Sequence, residues 1–554
     1  MEKNALLAFV LSMAVFAAYF LFFSPPEKPV PPQGQVAEKA PAQKESQPTP
    51  STAVGTAPAN PAATPAAPKM ESPSTLPVKN VAVKTKYFEA LISETGGTLK
   101  SIKLAGYKEQ LDKKDLKEMI LVDHPSNYPL HLEWIKKTQP DLAQARFIPD
   151  KETLILTPQQ PKGTISLRWT SNQGLTIIKT YALSYDSYRI DLTVRIINST
   201  KNPLDDNMAL LLQNRFPQSS DNAASFQGSL SLINEQFKEE ALTKVEKEQV
   251  MTGKVQWGAL SDTYFMGALV PLEDQQTASL KLSKPAPELL KLALVSSPIT
   301  LAPKGEKQIR YAIYFGPRDI QILKPLGLEL EKAVNFGFFD IIANPLLWVL
   351  RFFNGFFNNY GWSIILLTVL IKILFWPLTD KSYKSMKDMQ KLQPKIAKIR
   401  EKYKDNKEKL NQETMALYKT YKVNPLGGCL PMVIQIPVFF ALYSALGYAI
   451  ELRHAPFFLW INDLSAPDRL PIGVIIPYVG NGIPVLTLLM GASMFIQQKM
   501  TPTTGDPTQA KMMLFLPVIF TFMFLNFASG LVLYWLVNNV LSIGQQYYIN
   551  KYAK

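Results

Sequence analysis

Cysteine is all but absent. The single Cys429 excludes an intrachain disulfide framework, and no cysteine near position 20 offers a lipoprotein anchor. Cys429 sits in an apolar run and reads as a small packed side chain. Histidine is nearly as scarce. His124, His131 and His454 lie far apart, without metal-ligand spacing, and no zinc, haem or P-loop signature occurs, so no cofactor is expected. Acidic residues are missing from the interior of every long apolar run. That absence, with the lack of a convincing internal repeat, weighs against the alternative reading as a small-molecule transporter or channel.

What is present is unevenly spread. The formal charge is +14, and Asp380 to Lys422 alone holds thirteen Lys/Arg against six Asp/Glu, half of that net charge in one short stretch between apolar spans. The positive-inside rule accounts for this placement, and no sequence-specific nucleic acid partner is implied. Residues 1–23 read as an N-terminal transmembrane anchor. Ala5 to Phe23 is uncharged and about 28 Å long as a helix, close to the hydrocarbon thickness. The rival is a signal peptide cut near Val15-Phe16-Ala17, but cutting there leaves Tyr19 to Phe23 as an apolar stub, so a retained anchor is preferred. Residues 24–79, rich in Pro, Ala, Gln, Thr and Ser, read as a disordered tether.

From 80 to 325 the texture is that of short strands. Thr176 to Tyr181 and Tyr188 to Val194 are β-branched and aromatic with partial period-two alternation, which predicts one large all-β sandwich. Such folds often bind sugars, so a membrane-anchored carbohydrate enzyme is a second alternative. No convergent pair of carboxylates supports it, and the chain is read as no enzyme. Residues 328–358 predict an amphipathic interfacial helix: Trp348, Phe352 and Phe356 recur every fourth residue, while Asp340, Asn344 and Arg351 interrupt a span. Packing against the β-domain is the competing role.

Residues 361–550 form a core of five spans, near Trp362–Leu378, Leu426–Ile450, Ile483–Gln497, Met512–Phe527 and Ser529–Gln546. Between the second and third of these lies an outer loop, 451–482, whose Leu470–Val479 stretch is apolar but made a poor helix by Pro471, Gly473 and Pro477. With the anchor, six transmembrane helices place both termini and the basic loops in the cytoplasm and the β-domain in the periplasm of a bacterial inner membrane.

Lys372 stands ten residues into the first of the five core spans. A lysine at that depth costs about 2.5–3.5 kcal/mol and ordinarily has a partner or water. No Asp or Glu lies within any span to pair with it. Snorkelling to the cytoplasmic headgroups and a water-filled cavity stand level on physical grounds, with loss of the proton third. Thr368 lies one turn earlier on the same helical face. Gln435, Ser493, Tyr534, Asn538, Asn539 and Ser542 add polar groups to other spans, and Pro431, Pro437 and Pro517 free backbone carbonyls there, so the bundle reads as wet inside. The cytoplasmic segment 380–423 reads as a helical hairpin. Met386, Met389, Leu392, Ile396, Ile399 and Tyr403 form one apolar seam, bent at Pro394; Leu410, Thr414, Leu417 and Tyr421 form the other. A solvated hairpin and a docking surface remain open.

At these positions the chain resembles the YidC/Oxa/Alb family of membrane protein insertases. The resemblance rests on Gly361-Trp362, Pro377-Leu378-Thr379, Leu392-Gln393-Pro394-Lys395-Ile396, Asn424-Pro425-Leu426-Gly427-Gly428-Cys429, Gln435-Ile436-Pro437, Pro456-Phe457, Leu459-Trp460-Ile461, Asp463-Leu464-Ser465, Gln498-Lys499-Met500, Pro502-Thr503-Thr504 and Ser529-Gly530-Leu531-Val532-Leu533-Tyr534. The resemblance implies a hydrophilic groove open to the cytoplasm and lipid, with one positive residue inside, and a sugar-mutarotase-like β-domain. The gram-negative relatives usually carry arginine at the matching position. Lys372 keeps the charge but lacks the planar fork for bidentate carboxylate capture. Thr368 matches a client-contacting threonine, Trp535 stands where the family has a tyrosine, and Tyr534 and Gln435 join them in the implied groove. Implied partners are nascent membrane proteins, membrane lipids, the Sec translocon, the ribosome and the signal-recognition particle pathway. The tail after Asn550 is short, so tail-mediated ribosome docking is not expected.

Overall fold

The computed structural model describes residues 79–111, 113–217, 226–273, 278–421, 423, 430–476, 479–500 and 507–552. The anchor, all but the last residue of the tether, the 424–429 motif with Cys429, and the 501–504 stretch lie outside them.

The N-terminal half of the described chain is β-structure, as its alternating pattern predicts. A nine-stranded sheet runs in the order Gln236–Ala241, Gln227–Ile233, Val255–Asp262, Phe265–Pro271, Glu306–Pro317, Arg189–Asn198, Leu175–Ser184, Lys162–Thr170, Ile148–Pro149. Leu175–Ser184 buries every second residue, with Leu175, Ile177, Tyr181 and Leu183 inward, and so turns one face to the core. A five-stranded sheet (Gln249–Thr252, Ser279–Ala286, Leu289–Val295, Met208–Arg215, Leu132–Trp134) covers that face. The two approach so closely at Gly258 that a Cβ there would stand 2.8 Å from Leu280 and 3.0 Å from Leu292. Leu269 and Ile313, on the same face as Gly258, meet Leu280 and Leu292 in the space between. A second five-stranded sheet, built on Asn80–Lys84, Phe88–Ser93 and Thr98–Lys108, completes the domain.

The helices follow: α1 (Asp340–Phe357), α2 (Tyr360–Lys402), α3 (Lys407–Thr420), α4 (Leu430–Tyr448), α5 (Val485–Met500), α6 (Pro507–Met523) and α7 (Ser529–Tyr552). They stand at the five apolar segments and at the amphipathic and basic segments that flank them. Among the described residues, α2 is the helix long and apolar enough by itself to cross a bilayer. Instead of ending near Leu378, α2 continues without interruption through Pro377 and Pro394 to Lys402, so the apolar segment and the first arm of the basic segment share one helix. Each proline removes one intrahelical hydrogen bond, and the helices on either side have enough turns to hold it. The chain breaks at Tyr403–Asn406 before α3, and Lys395 returns to it by standing 4.2 Å over the Tyr421 ring. Met389, Leu392 and Ile396 are buried along this arm, Met386, Ile399 and Tyr403 half-buried, and Pro394 exposed. The stretch read as a poor helix is a β-hairpin, Leu470–Ile476 against Gly480–Ile483, with Gly473 at φ +75°.

On α1 the aromatic ridge is exposed. Trp348 stacks on Phe352 at 5.8 Å, which meets Phe356 edge-on at 5.0 Å, while Ala343, Leu347 and Leu350 turn inward. Arg351, on the flank between the ridge and the buried side, pairs with Asp319, at the end of the β-domain, and Glu451, after α4.

Candidate functional site

Contacts along the helices fix their directions. Ile364 on α2 stands beside Gly530 on α7, Lys372 beside Ser542, and Thr379 beside Gln545, so α2 and α7 are parallel and in register. Ser493 meets Asn539 and Met500 meets Gln546, which makes α5 parallel to α7. Gly491 of α5 packs directly on Thr521 of α6, where no larger residue fits. α7 is therefore the central helix, with polar groups on the sides it turns to α2 and α5.

Lys372 is half-buried on α2. Its ammonium donates to the Ser542 hydroxyl at 2.6 Å, and Ser542 in turn donates to the Asn538 carbonyl at 2.7 Å. The second bond turns an oxygen lone pair towards the ammonium. Among the described residues no carboxylate pairs with Lys372. One to two turns further along, the Gln545 amide donates to Thr379 at 2.8 Å, and the Gln546 amide donates to the Met500 carbonyl at 2.7 Å. Among the described residues, both glutamine carbonyl oxygens and the Tyr534 and Thr487 hydroxyls are buried without a well-aligned hydrogen-bond partner. A buried polar atom left unpaired costs about 1–3 kcal/mol, so the two glutamines near one end of α7 and the two hydroxyls near the other each favour water or a polar guest over hydrocarbon.

The other anticipated residues fall around this seam in different ways. Gln435 on α4 is half-buried and close enough to the Tyr534 hydroxyl to interact with it, although no well-aligned hydrogen bond forms. Trp535 lies in an aromatic cluster, 4.7 Å from Phe439 on α4 and 4.8 Å from Phe524 beyond α6. Thr368 does not open onto a cavity: it is 1 % exposed and donates back to the Ile364 carbonyl at 2.6 Å. A guest reaches it only if α2 and α7 part. Gln545 and Gln546 are the groups that residue-by-residue reading misses. The signal for them is the spacing of Asn538, Asn539, Ser542, Gln545 and Gln546, a polar stripe at helical period in an otherwise apolar run.

Two family models divide the chain between them: one described as "YidC periplasmic domain" matches residues 80–349, and one described as "60Kd inner membrane protein" matches 352–554. A membrane protein insertase YidC of Syntrophus aciditrophicus is 43% identical over 100% of both chains. That of Pelobacter propionicus is 42% identical, over 100% of this chain and 99% of the relative. Among solved structures, an active YidC insertase aligns over 85% of this chain and 94% of its own, at 20% identity and a TM-score of 0.37.

Proposed function

The chain belongs to the YidC family of membrane protein insertases, and we propose that it moves the polar parts of nascent membrane proteins into the bacterial inner membrane along the seam between α2 and α7. Lys372 attracts acidic residues of the client's hydrophilic tail or loop. The client's apolar helix then partitions into lipid beside the seam, and its burial supplies the driving force, while the polar groups of α7 lower the cost of carrying the tail. No covalent step is required.

The observation that carries this reading is an ammonium in the apolar part of α2 whose partner is a neutral hydroxyl. A resident carboxylate would make Lys372 a structural ion pair; a serine leaves the counter-charge to be brought by a guest. The shared direction of α2, α5 and α7, opposed by α6, supports successive crossings. The basic ends of these three helices emerge together, which supports a cytoplasmic side there and a periplasmic β-domain. On this topology the α2–α3 arm is the surface offered to the ribosome, the signal-recognition particle pathway and the Sec translocon.

The test is photocrosslinking from position 542 during client synthesis, paired with Lys372→Glu. Client adducts at 542 and failed insertion of acidic-tailed clients are expected. Normal insertion of those clients by the glutamate variant, at normal protein levels, removes the role of Lys372.

A further inference from the structure

Among the described residues, no strand or helix covers either face of the hairpin Leu470–Ile476/Gly480–Ile483. Ile472, Val474 and Ile475 are 44%, 59% and 77% exposed and are spread over both sides of a bulged ribbon, so no single rotation would hide them against the protein. No charged residue occurs between Arg469 and Lys499. A hairpin edge standing in water is ordinarily guarded by charge; this one has none, and its apolar surface would invite aggregation.

Its base, in contrast, is firmly held. The Arg469 guanidinium donates to the carbonyls of Val479 at 2.7 Å and Leu525 at 2.9 Å, and to the Asn526 side chain at 2.9 Å, which ties the hairpin to the α6–α7 turn. The lipid-facing side of α6 continues up to that turn through exposed Phe515, Ile519 and Phe522. α5 and α6 have 16 and 17 residues. At 1.5 Å per residue each is about 25 Å long, short of a hydrocarbon core of about 30 Å. The hairpin leads into α5 and is tied to the end of α6, so apolar surface it carries adds to both helices at that end.

We propose that this hairpin is a lipid-binding element that lies in the outer-leaflet interface and supplies the apolar depth that α5 and α6 lack. Its open backbone edges need water or headgroups, so the interface holds it and the acyl centre does not. Because it is uncharged, the contact is with neutral lipid and is insensitive to salt. The inference rests on the spanning arrangement of α5 and α6, and is independent of the role given to Lys372.

The experiment uses the full chain with Cys429→Ser, a fluorophore on Ile475→Cys, and vesicles of phosphatidylcholine and phosphatidylethanolamine. Quenchers are spin labels placed near the headgroup or at mid-chain, and aqueous iodide. Probes on Asn462→Cys, an exposed residue of the same loop, and on Phe515→Cys mark water and lipid. The expected result is strong quenching of the 475 probe by shallow labels and little by iodide. Iodide quenching equal to that at 462 overturns the proposal, because the hairpin is then in water. Protection from iodide and from both lipid labels also overturns it, because a protein then covers the hairpin. If the 515 probe escapes the lipid labels as well, the spanning arrangement has failed and the hairpin inference with it; quenching at 515 but not at 475 sinks the hairpin alone.

Discussion

At the scale of single residues, two lysines are held by neutral oxygens, with opposite consequences. Lys372 is satisfied by Ser542, a partner that a carboxylate can displace. Supplying the anion in advance should therefore block the site. Ser542→Asp places a carboxylate beside Lys372, and a charge-assisted pair stronger by about 1.4 kcal/mol than the hydroxyl contact reduces capture of acidic tails about tenfold. Ser542→Ala should leave insertion largely intact; insertion rates of one acidic-tailed client in the two variants decide it. Lys179, inside the β-domain, is wholly buried and donates to the carbonyls of Gly96, Gly97 and Leu130. Burial lowers its pKa from 10.5 to about 7. Between those values the unfolded chain holds a proton that the folded domain has released, so raising the pH through that window favours the fold, and below about 7 the full cost of the buried charge is present. Unfolding of the full chain, followed by hydrogen exchange of the Leu175–Ser184 amides, should show stability rising from pH 7 towards 10. Lys179→Met should flatten that slope while lowering stability by about 2–4 kcal/mol through the orphaned carbonyls.

Among the elements, the start of α5 depends on a residue far from it in sequence. Asp468 accepts from the backbone N–H groups of Leu486 and Thr487, at 2.5 and 3.2 Å, and from the Trp460 indole at 2.7 Å. It thus satisfies first-turn donors that the chain has no neighbouring cap for. Asp468→Ala should fray that turn and cost about 2 kcal/mol or more, seen as faster exchange at 486 and 487, while Asp468→Asn keeps an acceptor and loses less. No periodicity announces such a contact. The helices themselves are legible because hydropathy and period are local properties: α4 to α7 stand where the apolar runs are, and the exposed ridge of Trp348, Phe352 and Phe356 follows from spacing alone. Lys372 is legible from its depth, since the cost of burying it is a property of one residue. Its partner is not, because Ser542 is an ordinary serine until α2 and α7 are known to be parallel. The continuity of α2 through Pro377 and Pro394 is hidden for a related reason: proline weakens a helix locally, and whether the helix survives is decided by its neighbours. The hairpin after Leu470 carries strand residues but also the prolines and glycines of a loop, and pairing is what separates the two.

For the molecule as a whole, the question is where the β-domain ends in mechanical terms. Its last strand closes at Pro317, and the next residues join it to the bundle, with Leu323, Leu330 and Ala333 packed in the β-domain core. Arg318 is buried and donates to the Ala333 carbonyl at 2.8 Å, with its guanidinium 5.3 Å over Tyr448 at the end of α4. Asp319 and Glu451 share Arg351, with side chains 13%, 16% and 20% exposed. Phe339 stacks on Phe440 at 5.7 Å. These contacts fasten α1 to α4 and use the chain from Arg318 onwards as part of the clasp. A deletion that removes residues 80–317 leaves every one of them in place, whereas extending it through 359 strips α1 away and leaves Glu451 without its arginine. The shorter deletion should accumulate and support insertion in cells depleted of the wild-type chain; the longer should be degraded. Arg351→Ala in the full chain isolates the clasp. It leaves two carboxylates facing each other in a poorly hydrated site, a loss of about 3 kcal/mol. Protease nicking between Pro317 and Asp340 should then appear before any cut in the strands. If Arg351→Ala instead leaves that segment as resistant as in the parent, the clasp is held by Arg318 and the aromatic stack, and the deletion boundary should depend on those residues alone.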